Sequence, residues 1–378
     1  YLGGVGEDFD GLRKISAFGG HGNSRWGSAG TVLMRRSDQI YGDLYIDDNV
    51  ANATSSIYTP LVPVGPGRIV ALTADTITTD GVVKMVPNGL RGLEINPNLN
   101  QTQTYRVVSN TDITITVDIS GKPSLTSVAG VGNMYGAVYR FDNLYFRRGG
   151  YLVIGDSLIV SGTMRIDEYG QLTHYDATMN YETLLDVTVG TLEIASTGSI
   201  NVDGRGYLGG MREGNDCTGQ TIGNTNGSAY RSGGSYGGLG GVFDGGPPNP
   251  IYGSLTDPAG LGSGGSCGAW NRQGGDGGGW VEIHAGNVII NGLITANGLT
   301  GAGDQAGSGS GGTVYINASN LSGSGTIRAN GGAGEVGGGG GRIAVYYDNS
   351  TFTGQATALG GDGSSRDGQD GTVYLNKK

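Results

Sequence analysis

Apolar and polar residues alternate over short runs, and those runs return at near-constant spacing along much of the chain. Gly-Trp-Val-Glu-Ile at 279–283, Gly-Thr-Val-Tyr-Ile at 312–316, Gly-Arg-Ile-Ala-Val at 341–345 and Gly-Thr-Val-Tyr-Leu at 371–375 recur every 29 to 33 residues. A period of two is the signature of a strand with one buried face. It predicts Val281, Ile283, Val314, Ile316, Ile343, Val345, Val373 and Leu375 as a stacking core. The first three runs are each followed by a second one, at 293–298, 326–331 and 355–360, which adds Ile294 and Ile327 to that core. Upstream, Met164, Ile166 and Leu172 recur as Leu192, Ile194 and Ile200 at a spacing of 28. Helical spacing is nowhere sustained.

Short strands that return this regularly, with Gly, Asn and Asp turns between them, predict an all-β fold built as a right-handed parallel β-helix or solenoid, the hand being taken by analogy. One coil buries almost nothing by itself. Several must stack, and an open end must be capped or joined to another copy.

The end of the chain also repeats its beginning. Residues 358–373 lie over residues 17–32 at a constant offset of 341, with ten identities. Among them are Gly19/Gly360, Gly20/Gly361, Arg25/Arg366, Thr31/Thr372 and Val32/Val373. This match predicts end-to-end stacking or tandem copies.

Between 84 and 142 glycine thins out, and runs at 93–95, 105–108, 113–117 and 137–141 read as strands of a small inserted antiparallel β-module. The expected organisation is N-terminal coils over 1–83, the module over 84–142, further coils over 143–204, a glycine-rich arm over 205–280 and C-terminal coils over 281–378.

Composition sharpens this picture. Glycine supplies 78 of 378 residues, yet lacks the every-third-residue pattern of collagen, and 36% hydrophobic residues arranged in runs provide a core. A net charge of −10 argues against a nucleic-acid partner, and no stretch reaches the roughly eighteen apolar residues of a membrane span. Cys217 and Cys267, both in the glycine-rich stretch, are a candidate disulfide, which would imply an oxidising compartment.

Candidate chemistry is sparse. Gly-x-Ser-x-Gly around Ser235 and Ser266 lacks the strand before and helix after that a nucleophile elbow requires. The three histidines, His21, His174 and His284, have no zinc-ligand spacing. Arg165, Asp167, Glu168 and His174 are a candidate cluster for a carbohydrate-cleaving β-helix, against the simpler reading of solvated charges. Asp-rich turns such as Asp47-Asp48 and Asp367 to Asp370 make calcium the one ion to consider, although ordinary turn formation explains them; no cofactor is expected.

The units Gly-Thr-Val-Tyr-Ile with Gly-Thr-Ile-Arg-Ala-Asn-Gly-Gly, the stretch 339–347, and Gly-Thr-Val-Leu-Met at 30–34 with 41–47 resemble the glycine-rich repeats of very large bacterial cell-surface and adhesin-like proteins. The stretch 92–98 with 107–116 resembles a module that accompanies them. The resemblance implies export to the cell surface and a structural or adhesive role. The expected function is thus a non-enzymatic segment of an extracellular rod, filament or adhesin, with copies of itself, and surface glycans, as partners. A carbohydrate-binding or carbohydrate-cleaving β-helix, such as a phage fibre or surface depolymerase, is the alternative.

Overall fold

The computed structural model describes residues 15–20, 27–49, 57–243, 245–364 and 366–378. In chain order its strands begin with β1 (Thr31–Met34), β2 (Asp43–Asp47), β3 (Thr59–Pro60), β4 (Gly67–Leu72), β5 (Thr76–Thr79), β6 (Glu94–Asn96), β7 (Tyr105–Asn110) and β8 (Thr114–Asp118). A single-turn helix, α1 (Leu125–Val128), precedes β9 (Met134–Phe141), β10 (Asn143–Arg147), β11 (Tyr151–Ile154), β12 (Ser157–Ile166), β13 (Gln171–His174), β14 (Leu185–Ile194) and β15 (Ser199–Asn201). After the two-residue strands β16 (Gln220–Thr221) and β17 (Thr225–Asn226) come β18 (Trp280–Ile290), β19 (Leu293–Thr295), β20 (Thr313–Ser322), β21 (Thr326–Arg328), β22 (Arg342–Ser350), β23 (Gln355–Thr357) and β24 (Thr372–Lys377).

Six of these strands close on themselves. β4, β5, β8, β7, β6 and β9 pair in that order, every pair antiparallel, and β9 returns to β4. The connections dictate the sense. Residues 73–75 join β4 to β5 and residues 111–113 join β7 to β8, far too few for the crossover that a parallel pair needs. Ile69, Ile77, Ile95, Tyr105, Val107, Ile115, Val117 and Tyr135 fill the interior.

The all-β expectation stands, but the right-handed parallel β-helix or solenoid is corrected. The sheet is organised by this closed antiparallel barrel, and β1 also pairs antiparallel with β2. The barrel recruits β4 and β5 from the stretch expected to form N-terminal coils.

Parallel pairing exists as a ladder grown out of the barrel. β9 pairs through Val138–Phe141 with the first half of β12, while β10, itself parallel to β2, pairs with the second half. β14, β18, β20, β22 and β24 follow in order. Val281, Val314, Ile343 and Val373 stand in one register column, and Ile283, Ile316, Val345 and Leu375 in the next but one. A second, shorter ladder runs β3, β11, β13, β15, β19, β21, β23, and places Ile294 beside Ile327. Each fully buried aliphatic side chain in these columns contributes about 1.5–3 kcal/mol.

The third side of the molecule is neither strand nor helix. Segments 261–268, 274–279, 306–312 and 336–341 are buried, and their amides bond with a three-residue period. The amides of Gly262, Gly265 and Gly268 reach the carbonyls of Gly278, Gly275 and Arg272, whereas those of Gly264 and Cys267 reach Gln220 and Cys217. From 307 to 312 the partners are Ser266, Val336, Leu299, Ser263, Gly339 and Ala296, so each segment bonds three neighbours in rotation. That is the geometry of an extended helix with three residues per turn, packed side by side with its own kind. The stretch 205–280, expected as a glycine-rich arm, contributes segments 261–268 and 274–279 to this lattice, where its amides bond within the stretch and to residues such as Gly307 and Ser310. Cys217 and Cys267 form a disulfide that closes a 50-residue separation within this lattice.

Gly338 tests the lattice directly, since a Cβ there would overlap the carbonyl of Gly309, whereas one on Gly130 would meet its nearest neighbour, Asn133 Oδ1, only at 4.0 Å. Gly338→Ala is expected to cost about 3 kcal/mol or more in urea unfolding, and Gly130→Ala to stay within about 0.5 kcal/mol. Reducing the disulfide is expected to lower stability by about 4 kcal/mol, the loop-closure entropy of a 50-residue loop, read as the difference between oxidised and reduced unfolding curves.

Candidate functional site

Where the barrel meets the ladder, their faces diverge and leave an open cleft of about 970 Å³. One wall is β9, with Met134, Gly136, Val138 and Arg140, together with the loop that follows Asn96. The other is the outward face of three successive rungs. In β12, β14 and β18 the inward residues are fully buried, so Ser157 and Ile159, Asp186 and Thr188, and Trp280 and Glu282 point the opposite way. Residues 179–184, Gly223 and Asn224 complete the lining.

Carboxylates dominate its charge. Asp186 and Glu282 are register neighbours on adjacent rungs, and the Ser157 hydroxyl donates to Asp186 at 2.6 Å. Burial pushes the Asp186 carboxyl above the usual range, the serine opposes that rise, and the Glu282 charge adds to it. At the floor, Asp156 accepts the amides of Val64, Gly65 and Ala137 at 3.1, 3.0 and 2.7 Å and so ties the chain entering the barrel to β9. Burial pushes its carboxyl up to about 6 against the pull of those three donors. Glu182 accepts the Tyr207 hydroxyl at 2.6 Å, and Asp80 the Tyr181 hydroxyl at 2.8 Å.

Trp280 is anchored from behind. Its amide donates to Nε2 of the fully buried His174 at 3.2 Å, and His174 Nδ1 meets the Tyr175 carbonyl at 2.6 Å. A carbonyl can only accept, so the proton sits on Nδ1 and the ring is neutral. Burial pushes its pKa down to about 3. The Trp280 ring packs on the small cluster of Ala177, Tyr207 and Leu261, while its buried Nε1 has no hydrogen-bond partner among the described residues. The buried Asn224 Oδ1 also lacks one.

Beyond the cleft the outward face continues as a row of rings, one from each rung. His284, Tyr315, Tyr346 and Tyr374 have centroid separations of 5.8, 5.9 and 5.8 Å. His284 Nε2 lies 3.0 Å from Glu282 Oε1.

The candidates raised by the sequence are distributed as follows. His174 is a buried support, whereas Arg165 bridges Asp167 at 2.8 Å and Glu193 at 3.0 Å on the surface, so the four-residue cluster is not brought together. Ser235 and Ser266 are fully buried lattice residues: Ser235 Oγ accepts the Gly240 amide, and Ser266 Oγ donates to the Ser232 carbonyl. Asp367 and Asp370 cap turns, accepting the amides of Gly363 and Gly360. Among the described residues no three His, Cys, Asp or Glu side chains are grouped to hold a metal. His21 and Arg25 lie outside the described residues.

The end match has a structural counterpart. Gly30 donates to Ala17 and Gly27 to Gly20 at 2.5 and 2.9 Å, and the equivalent Gly371–Ala358 and Gly368–Gly361 bonds measure 2.6 and 3.0 Å. Gly19 and Gly360 hold equivalent places, each with its Cβ direction blocked by the carbonyl of Gly27 or Gly368. The Arg366 guanidinium stacks on Phe243 at 3.7 Å. The two copies pair differently: Thr31 and Val32 run antiparallel to β2, Thr372 and Val373 parallel to β22.

Sequence reasoning placed His284 on an outward face but did not find Trp280, Asp186 or Glu282 as wall residues. Their outward parity was readable from the alternation. Their adjacency was not, because residues 195–279, with the first two lattice segments, stand between β14 and β18 in sequence. Comparisons with protein-family models, curated proteins and solved structures find no match.

The hydrogen bond that the His284 ring donates to the Glu282 carboxylate raises its pKa above the ordinary 6.5, against the half-burial that lowers it. The stabilisation from this pair is full below pH 6.5 and fades as pH rises through the raised value. An NMR titration is expected to give His284 a pKa above 6.5, and Glu282→Gln to bring it down.

Proposed function

We propose that this chain is a non-enzymatic structural segment of an extracellular rod, filament or adhesin in which a further copy, stacked end to end or joined in tandem, continues the ladder beyond β24. The observation that carries the reading is an asymmetry between the two ends of the ladder. At one end the barrel covers the β9 column, β1 covers β2, and Pro60, which has no amide to offer, closes the short ladder in β3. At the other, among the described residues β24 pairs on one side alone, and the residues that continue the aliphatic columns are open: Val373 is 42% exposed and Leu375 50%. Leu359, on the same end, is 51% exposed. An unpaired strand edge with apolar side chains is a template for another strand.

Three further features support a load-carrying, secreted role. The disulfide fits an oxidising compartment, the buried lattice is cross-bonded in several directions, and the resemblance to surface-protein repeats points the same way. Sedimentation velocity on the full chain is expected to show concentration-dependent association that Val373→Lys and Leu375→Lys abolish with folding intact. A chain that stays monomeric at every concentration overturns the reading.

A further inference from the structure

We propose that the cleft between barrel and ladder binds a neutral oligosaccharide, held by Trp280, Glu282, Asp186 and Asn224. This site lies on the outward face and is independent of the stacking end.

The ligand class follows from what the walls offer and refuse. A strand-like peptide would need a free sheet edge. None is present in the walls, since β9, β12, β14 and β18 are each paired on both sides. A polyanion meets Asp80, Glu182, Asp186 and Glu282, while of the two lining arginines Arg140 is already held by Glu94 at 2.8 Å. A wholly apolar ligand would strip water from the remaining acceptor sites of the carboxylates and from the side-chain amides of Asn180 and Asn224 without replacing it.

A neutral sugar chain satisfies all of these groups together. Its hydroxyl pairs donate to carboxylates, and its C–H faces lie against aromatic rings such as Tyr181 and Trp280. The Trp280 indole N–H and Asn224 Oδ1 are buried without a partner among the described residues, in two residues that line the cleft, so a side-chain shift that opens them would offer a sugar hydroxyl one donor and one acceptor. The volume of about 970 Å³ and the open ends suit a chain of several residues rather than a single sugar. Past Glu282 the ring row from His284 to Tyr374 extends the same face.

The test is calorimetric titration of the full chain with cellohexaose, xylohexaose and mannohexaose, beside hexagalacturonate as the charged control. Saturable binding of at least one neutral hexasaccharide is expected, with hexagalacturonate roughly tenfold weaker or worse. Glu282→Gln and Asn224→Ala should each weaken it by roughly tenfold while the circular dichroism spectrum of the folded chain is retained. In an NMR titration with the same sugars the Trp280 indole N–H resonance should move while that of Trp270, 90% exposed and away from the cleft, stays in place. No saturable binding by any of the three, binding indifferent to both variants, a preference for hexagalacturonate, or a still Trp280 resonance overturns the proposal.

Discussion

Hydrogen bonding between glycine segments with no side chains between them is the constraint on which the rest of the molecule depends. A buried amide must find an acceptor, and in segments 261–268, 306–312 and 336–341 neither strand nor helix supplies one. Three residues per turn solve the problem by sending successive amides to different neighbours, which demands approach distances that no Cβ permits. Ordering so much glycine costs conformational entropy, and only dense mutual bonding offsets it. The Cys217–Cys267 disulfide lowers that cost by removing the loop-closure entropy of the unfolded chain between them.

The lattice in turn fixes where the ladder can run. β18, β20 and β22 each emerge from a lattice segment, so their spacing is set by segment packing as much as by strand pairing. At the opposite end β9 serves two structures: its first residues pair with β4 and β6 in the barrel and its last with β12 in the ladder. One strand cannot follow both curvatures without the sheets parting. The cleft is that parting, and Asp156 pins its floor by gathering three amides from both sides of the junction.

Rigidity behind the cleft follows from the same arrangement. Trp280 opens β18 directly after the lattice segment 274–279, its amide tied to His174 and its ring to Tyr207 and Leu261. The wall is thus presented by ladder and lattice together, and its outward side chains are held in place before any ligand arrives. The stacking proposed at the β24 end and the recognition proposed at the cleft would use different faces, so neither would obstruct the other.

Alternation by itself determined a good deal. The inward parity of Val281, Ile283, Val314, Ile316, Ile343 and Val345 was legible because a strand with one buried face admits only one reading of period two. The spacing of 29 to 33 residues was enough to set Ile294 beside Ile327. Parity is a local property, and closure is not. Nothing in the runs at 67–79 separates barrel strands from ladder rungs; the short connections and the interior packed around Tyr105 and Tyr135 decide it. The matched ends make the point most sharply, since the same Gly-Thr-Val pairs antiparallel at β1 and parallel at β24. Sequence determined which residues form strands and which glycines admit close approach. The tertiary structure alone decided strand direction, barrel closure and the walls of the cleft, because each depends on which partner arrives from elsewhere in the chain.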